Sequence, residues 1–436
     1  MRIFYRFFVW IHFYYNLIIS FITIFFQKKD VISKSKNIIK YAAEKSKFYR
    51  EKYKGIDLKI KDLNDFKKLP ITEKNELKEA LKKNSLLTNN SNKFKIGYTT
   101  GSSGSPLKMF VDNKSIQIKQ HFQIISNFKN GINPNKKNVK IWRKKSNTKY
   151  ESILEKAGLY IKIDIADIDN PSNSPDHEND LKNIVDTLIR FKPQIIRGYV
   201  SSLVLIAKYL KKNKISISSL ESIISSAESL DEKNFELFKE VFNCNIINMY
   251  GGTEAPYIAC SSKTSKHLKI SNDLYFIEVV DGNGNDVSPG ETGDILVTDF
   301  YNKAMPIIRY KIGDRASVLD SINQKFGDQV NYLKNISGRI DDDLYLNNGR
   351  IKILSHFWYI IFRNQEWIEQ FQIIQKSDFD LKIKYITLKK DDENFYKIKS
   401  KLKELYPEIK FSWQEVQKLD KIHGKVKNII SQKNEH

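Results

Sequence analysis

The chain has 436 residues and a formal net charge of +22. With 41% hydrophobic and 12% aromatic residues it has ample apolar material for a large core in two or three domains, which excludes an intrinsically disordered chain. Lys and Arg are spread along the sequence, with no helix-turn-helix or zinc-finger spacing, which argues against nucleic-acid binding. The positive field would still draw a polyanionic ligand or the anionic face of a membrane. The two cysteines, Cys244 and Cys260, belong to no closely spaced ligand set and read as core residues.

The first segment, residues 1–30, carries no charged side chain between Phe7 and Phe26 apart from the mostly neutral His12. It is long enough to cross a bilayer as a helix, is rich in aromatics, and lacks a small-residue cleavage site. Three readings stay open for residues 1–26: a helix docked on the first domain, a peripheral membrane contact, and a span. Residues 31–55 show the period of an amphipathic helix ending near Gly55. Pro70 and Thr72 predict a helix start with Glu73 in its first turn. FKIGYTTGSSGSPLKMFVD reads as strand, small-residue loop and strand, and KQHFQIISNFKNG as a helix closed by Gly131. Strands from Val139, at IIRGYV, at SIISSAESL and at NIINMY alternate with helices over 181–193, at SSLVLIAKYLKK and at DEKNFELFKEVFN. That alternation predicts an α/β core. Residues 274–320 hold strand-like runs with turn signals at Asp281-Gly282 and Pro289-Gly290. Beyond residue 338 the pattern becomes a compact α+β module. It reads as a hairpin turning at 347–349, a helix FWYIIFRNQEWIEQFQIIQ, a strand DLKIKYITLKK, a helix ENFYKIKSKLKELYP and a strand IKFSWQEV.

Five segments carry chemistry. Thr99-Thr100-Gly101-Ser102-Ser103-Gly104-Ser105-Pro106 exposes backbone N–H groups and hydroxyls that can wrap phosphate oxygens, although GxxxxGK[ST] is absent. Read alone, it could equally be a flexible turn. Tyr250-Gly251-Gly252-Thr253-Glu254 follows an apolar strand, where open α/β sheets place ligands. Tyr250 could stack on a planar base, and Glu254 could coordinate Mg2+; a helix-capping loop is the plain alternative. The run from Asp299 to Asp314 ends with a carboxylate after Gly313 on a turn, able to accept two ribose hydroxyls. Its plain alternative is a surface turn with Arg309 in a salt bridge. Ser337-Gly338-Arg339-Ile340-Asp341 marks the composition boundary, and Lys421-Ile422-His423-Gly424-Lys425-Val426-Lys427 lies near the C-terminus.

In this order and at these separations the segments resemble the adenylate-forming superfamily of acyl-CoA synthetases, luciferases and adenylation domains. The closer resemblance is to the phenylacetate–CoA ligase branch, and within it to the CapK-like proteins of capsule and surface-polysaccharide biosynthesis. It runs from about residue 35 to 430, and GDILVTDFYNKAMPIIRYKIGD is its most specific stretch. The resemblance implies an α/β fold with a large multi-sheet N-terminal domain over 31–337 and a small mobile α+β domain over 338–436. Thr99, Thr100, Gly101, Ser102, Ser103 and Gly104 would then hold the β- and γ-phosphates of ATP. Thr253 would bind the α-phosphate, Glu254 the Mg2+, and Tyr250 with Gly251 would line the adenine site. Asp314 would bind the ribose with Arg339 near it, and Asp341 would be the hinge. Lys425, or Lys427 two residues on, would be the catalytic lysine. SSAESL resembles a strand and turn that touch adenine and substrate, which puts Glu228 among the candidates beside a purely structural role.

The implied reaction activates a small carboxylic acid to an acyl-adenylate with release of pyrophosphate. The acyl group then passes to a thiol of CoA or a carrier, an amine or a sugar. Acyl transfer in capsule or surface-polysaccharide assembly is the first expectation; an aryl- or acyl-CoA ligase and a non-catalytic protein of the same fold are the alternatives. The catalytic body would face the cytoplasm, where ATP is, and could touch the inner face of the membrane. Leu107 stands where many members have a basic residue after the loop's proline, and no Cys/His set for a zinc is present.

Overall fold

The structure, a computed structural model, describes residues 2–26, 30–88, 94–99, 107–142, 148–165, 177–319, 332–337, 344–346, 351–353, 368–377, 379–387, 392–422, 425–426 and 429–431. Helices α1 (Arg2–Phe26), α2 (Val31–Lys45), α3 (Lys47–Lys52), α4 (Leu63–Lys67) and α5 (Lys74–Lys82) precede a hairpin of β1 (Phe94–Tyr98) and β2 (Lys108–Asp112). Next come α6 (Asn113–Lys129), β3 (Asn138–Trp142), α7 (Lys149–Lys156), β4 (Tyr160–Asp164), α8 (His177–Phe191) and β5 (Ile195–Gly198). The alternation continues with α9 (Val200–Lys212), β6 (Ser222–Ser226), α10 (Glu232–Phe242) and β7 (Asn245–Tyr250). Strands β8 (Ala259–Ser262), β9 (Ser265–Ile270), β10 (Tyr275–Val280), β11 (Thr292–Asp299), β12 (Tyr310–Val318) and β13 (Tyr332–Ser337) follow. The last stretch holds β14 (Leu344–Leu346), β15 (Ile351–Ile353), β16 (Ile368–Ser377), β17 (Asp380–Thr387), α11 (Asp392–Leu405), β18 (Lys410–Glu415), β19 (Lys421–Ile422), β20 (Lys425–Val426) and β21 (Ile429–Ser431).

The chain forms two compact units, the second gathering the residues from 337 onward together with 313–315. In the first, a mixed sheet has the strand order β10-β11-β12-β13-β9-β8-β7-β6-β5-β3-β4. The β4-β3-β5-β6-β7 portion is parallel. Its inner strands β5 and β6 are mostly buried, because both faces are covered. One face packs on α8, α9 and α10 through Leu188, Leu203, Ile206 and Phe238. Ile195, Ile224 and Ile247 face the other side with Ile132. Parallel strands of this kind leave the loops after β5, β6 and β7 together at one edge of the sheet, where such folds bind ligands.

The remainder of the first unit is set by buried charge. Arg309, at a φ of +44°, donates through Nε and Nη2 to Glu278 and through Nη1 to the carbonyls of Lys67 and Leu69. Its backbone carbonyl accepts from Thr72 N–H at 2.9 Å. Thr72 is thereby held extended in a bridge to Tyr310, so the helix predicted around Pro70 and Thr72 begins only at Lys74, with Glu73 as its N-cap. The predicted helix over 31–55 is likewise divided. Ser46 is buried in extended backbone, with its hydroxyl donating to Leu86 O at 2.9 Å, and this interrupts the helix between α2 and α3.

In the second unit, β18-β17-β16-β21 form a sheet with α11 packed on it through Ile398 and Leu402. The hairpin β14–β15 matches the expected one, its turn lying outside the described residues. The helix expected over 357–375 is corrected: residues 368–377 are strand β16, antiparallel to β17, and 357–367 lie outside the described residues. The run IEQFQIIQ carries apolar residues at both helical and strand spacing. Pairing with β17 decides it, with Ile373 in the core and Gln372 exchanging hydrogen bonds with the backbone of Asp420.

Replacing Arg309 with Met would leave Glu278 as an uncompensated buried charge and is expected to lower stability by about 3–5 kcal/mol. Arg309→Met combined with Glu278→Leu should recover a large part of that loss. Urea denaturation of the three variants against wild type checks both.

Candidate functional site

After β7 the chain reverses in a loop that only glycine permits at its first position. A Cβ on Gly251 would lie 2.6 Å from Tyr257 N and 3.0 Å from Ala255 O. Gly252 N–H donates to Ala255 O at 3.0 Å, and Tyr257 completes the reversal at a φ of +61°. The loop drives Ala255 and Ile258 fully into the core and holds Glu254 at 7% exposure, while Gly251, Gly252 and Thr253 stay exposed. Tyr250 is half-buried at the end of β7.

Thr253 reaches across the fold. Its hydroxyl donates to Tyr98 O at 3.3 Å, and its methyl would lie only 2.8 Å from a Cβ on Gly97. Gly97 thereby leaves room for the Thr253 methyl against β1. Next to Tyr98, buried Thr99 closes the base of the Gly/Ser-rich segment: its N–H donates to Leu107 O and its Oγ1 accepts from Leu107 N–H, both at 3.0 Å. Thr100, Gly101, Ser102, Ser103 and Gly104 lie outside the described residues.

The second strand of that hairpin is anchored by the segment after β11. Asn302 donates to Phe110 O at 3.0 Å and accepts from Asp112 N–H, while Asp112 accepts from Lys303 N–H at 2.7 Å. Asp299 accepts from the N–H groups of Tyr301 and Asn302 and pairs with buried Lys119 at 2.5 Å. Much of the most specific sequence stretch thus serves as a structural brace, and Arg309 is the salt-bridged residue of the plain reading. Asp314 is half-buried within β12, not on a turn as expected. The strand passes through Gly313, whose φ of +90° bends it.

Glu228 follows Ala227, itself at a φ of +66°, and receives the N–H and hydroxyl of Ser201 at 2.7 and 3.0 Å. It thus caps the first turn of α9, a favourable place for a carboxylate. Arg339 and Asp341 lie outside the described residues; the backbone of Lys425 pairs with Ile422 in the β19–β20 hairpin.

The segment over 195–202, with RGYVSS, resembles one that lines the acyl or nucleotide pocket, and it brings Arg197 near Tyr257. Arg197 sits in β5 with a buried Nε that has no hydrogen-bond partner, and it forms no ion pair among the described residues. Burial pulls its guanidinium below the ordinary range, opposed by Tyr257, Tyr160, Cys260 and Glu151 nearby, yet an arginine stays charged. Glu151 is already satisfied. Burial alone would raise its pKa, but donation from Lys140, Thr148 N–H and Tyr160 outweighs that and brings it to about 2. The rings of Trp142 and Tyr199 stack at 4.1 Å beside the ends of β3 and β5. Burial pushes the Cys260 thiol up to about 11 and Cys244 up to about 12, so neither supplies a thiolate nucleophile near neutral pH. A charge inside the apolar run IIRG was the sequence signal for Arg197.

A family model described as AMP-binding enzyme matches residues 173–300. Among solved structures, 2-hydroxyisobutyryl-CoA ligase in complex with 2-HIB-AMP is similar at 17% identity and a TM-score of 0.66, covering 92% of this chain and 89% of its own. An anthranilate CoA ligase in complex with anthranoyl-AMP is similar at 18% identity and a TM-score of 0.52, covering 76% of this chain and 64% of its own. The chain shares the fold of adenylate-forming ligases, among them acyl- and aryl-CoA ligases, and its matched segment is similar to AMP-binding enzymes. A similar curated protein is Protein CapK of Staphylococcus aureus, 25% identical over 380 residues, covering 85% of this chain and 80% of its own.

Gly97→Ala should push Thr253 from Tyr98 and weaken ATP binding by roughly tenfold, a loss of about 1.4 kcal/mol, with the melting temperature little changed. Isothermal titration with ATP, alongside a thermal melt, measures both.

Proposed function

We propose that the protein joins a carboxylic acid to AMP and then passes the acyl group to the thiol of CoA. A carboxylate oxygen attacks the α-phosphorus of ATP, the bond to the pyrophosphate oxygen breaks, and pyrophosphate leaves. The CoA thiolate then attacks the acyl carbon and AMP departs. The observation that carries the reading is the pinning of Thr253 to Tyr98, which joins the YGGTE loop to the base of the TTGSSGSP loop. Thr99 to Gly104 would hold the β- and γ-phosphates, Thr253 the α-phosphate, Tyr250 and Gly251 the adenine, and Asp314 with Arg339 the ribose. Lys425 would offset charge as the carboxylate attacks. The nucleotide- and acid-binding domain is assigned to 31–337 and the small domain to 338–436.

Glu254 suits Mg2+, which takes one or two carboxylates together with phosphate oxygens and water. Among the described residues no cluster of three or more His, Cys, Asp or Glu could hold a metal. The ion would therefore arrive with the nucleotide, and when bound it supplies charge neutralisation at the phosphates.

CoA is favoured as acceptor over the surface-polymer acceptor expected first, because the similar solved structures include CoA ligases, one of them in complex with 2-HIB-AMP and CoA. Transfer to a surface-polymer precursor is the second reading, supported by the likeness to CapK. Arg197, partly buried near Tyr257 with a buried Nε that lacks a hydrogen-bond partner among the described residues, supports an acid carrying a second anionic or hydroxyl group.

Acid-dependent exchange of labelled pyrophosphate into ATP tests the first half-reaction, across fatty, aryl, hydroxy- and dicarboxylic acids. Exchange with one class, lost in Lys425→Ala, is the expected result; no ATP binding at all would refute the reading. Thioester formation with that acid and CoA separates the two acceptors. Arg197→Met should lower exchange with the dicarboxylic or hydroxy-acid by about tenfold or more, and leave simple fatty acids nearly unchanged.

A further inference from the structure

Helix α1 is apolar on two faces, and only one of them is covered. Its inner stripe docks on the first unit along nearly the whole helix. Tyr5 and Val9 pack with Leu154, Ala157 and Tyr160 at α7 and β4, and Arg6 Nε donates to Ala157 O at 3.2 Å. Further along, Phe13, Leu17 and Ile24 meet Ile124 and Ile125 of α6. The Ser20 hydroxyl lies 2.9 Å from His121 Nδ1.

The outer face is different. Of the nineteen exposed large hydrophobic side chains among the described residues, thirteen belong to α1, from Ile3 to Phe26. At about 100° per residue those thirteen positions fall within one arc of about 160°, opposite the docked stripe. A single straight apolar ridge about 37 Å long therefore projects from the first unit.

Charge identifies what covers it. The segment 1–29 carries Arg2, Arg6, Lys28 and Lys29 and no acidic residue, and the chain as a whole carries +22. Lys129, Lys149 and Lys156 are exposed on the two helices that α1 docks against, with Lys156 Nζ 5.8 Å from the Tyr5 ring. A second copy would bring +22 against +22, whereas an anionic bilayer brings the opposite sign. Trp10, Tyr14 and Tyr15, all on the exposed arc, are side chains that settle at headgroup level. Docking also decides the orientation. A helix held by the first unit from residue 5 to residue 24 cannot cross a membrane without giving up every one of those contacts. We propose that α1 is an in-plane anchor: it stays docked and sinks its outer face into the surface of an anionic phospholipid bilayer.

The test is co-sedimentation of the full chain with phosphatidylcholine vesicles, with and without phosphatidylserine. Expected is binding that strengthens with phosphatidylserine and weakens with salt. Trp10→Glu with Ile18→Glu, both on the outer arc, should reduce binding by more than about tenfold at an unchanged melting temperature. Trp10 fluorescence should be quenched by lipids brominated near the headgroup. Binding untouched by the double variant would overturn the proposal in favour of a purely basic contact. An absence of binding together with a dimer that the same variant dissociates would show that a second copy covers the ridge. An N-terminal tag protected inside vesicles would show a span.

Discussion

The buried ion pairs of the first unit fix everything the candidate site is built from. Arg309 with Glu278 and Lys119 with Asp299 are almost completely removed from water, so each charge depends on its partner and on backbone groups around it. Arg309 gathers the chain before α5 and the strand β10 to one point, and Lys119 ties α6 to the end of β11. Between those two anchors, Asn302 and Asp112 grip the second strand of the β1–β2 hairpin. The base of the Gly/Ser-rich segment is thereby held from the second strand of its hairpin.

On that brace the opposite loop is set by close backbone approach. Gly97 and Gly251 are needed for space: a methyl group at either would strike Thr253 or the backbone of Tyr257. Glu254 is buried in the same turn that leaves Thr253 exposed, which separates a carboxylate suited to a cation from a hydroxyl suited to a phosphate. Near Tyr257, the Arg197 Nε is buried without a hydrogen-bond partner among the described residues, while the neighbouring Glu151 is engaged by Lys140 and Tyr160. A buried donor left without an acceptor is costly to fold, and is understandable where a ligand supplies that acceptor.

The outer face of α1 follows the opposite logic. On α1 the stripe toward α6 and α7 found partners among the described residues, and the other did not. A helix apolar all round is usually buried all round, so a half-covered one implies a second apolar surface.

Much of the architecture was legible in the sequence because periodicity and turn residues are local. The βα alternation from β3 to β7, the β1–β2 hairpin and the β14–β15 hairpin follow from apolar spacing and small-residue loops. What failed locally was decided by partners distant in sequence. Strand β16 reads as helix until β17 pairs with it, and the helix over 31–55 is broken because Ser46 bonds to the segment after α5. The motif glycines and hydroxyl residues could be read as loops, but not the reason Gly97 is glycine, since the atom it avoids belongs to Thr253, far along the chain. Nor could the sequence show that the charges of its most specific stretch brace a hairpin, or that the Arg197 Nε is buried without a hydrogen-bond partner among the described residues. The sequence by itself determined the βα alternation from β3 to β7 and the two hairpins, because those depend on neighbours a few residues away. Only the tertiary structure decided which of their side chains meet, which charges are buried together and which face of α1 is left uncovered, because burial and pairing are properties of residues brought together from opposite ends of the chain.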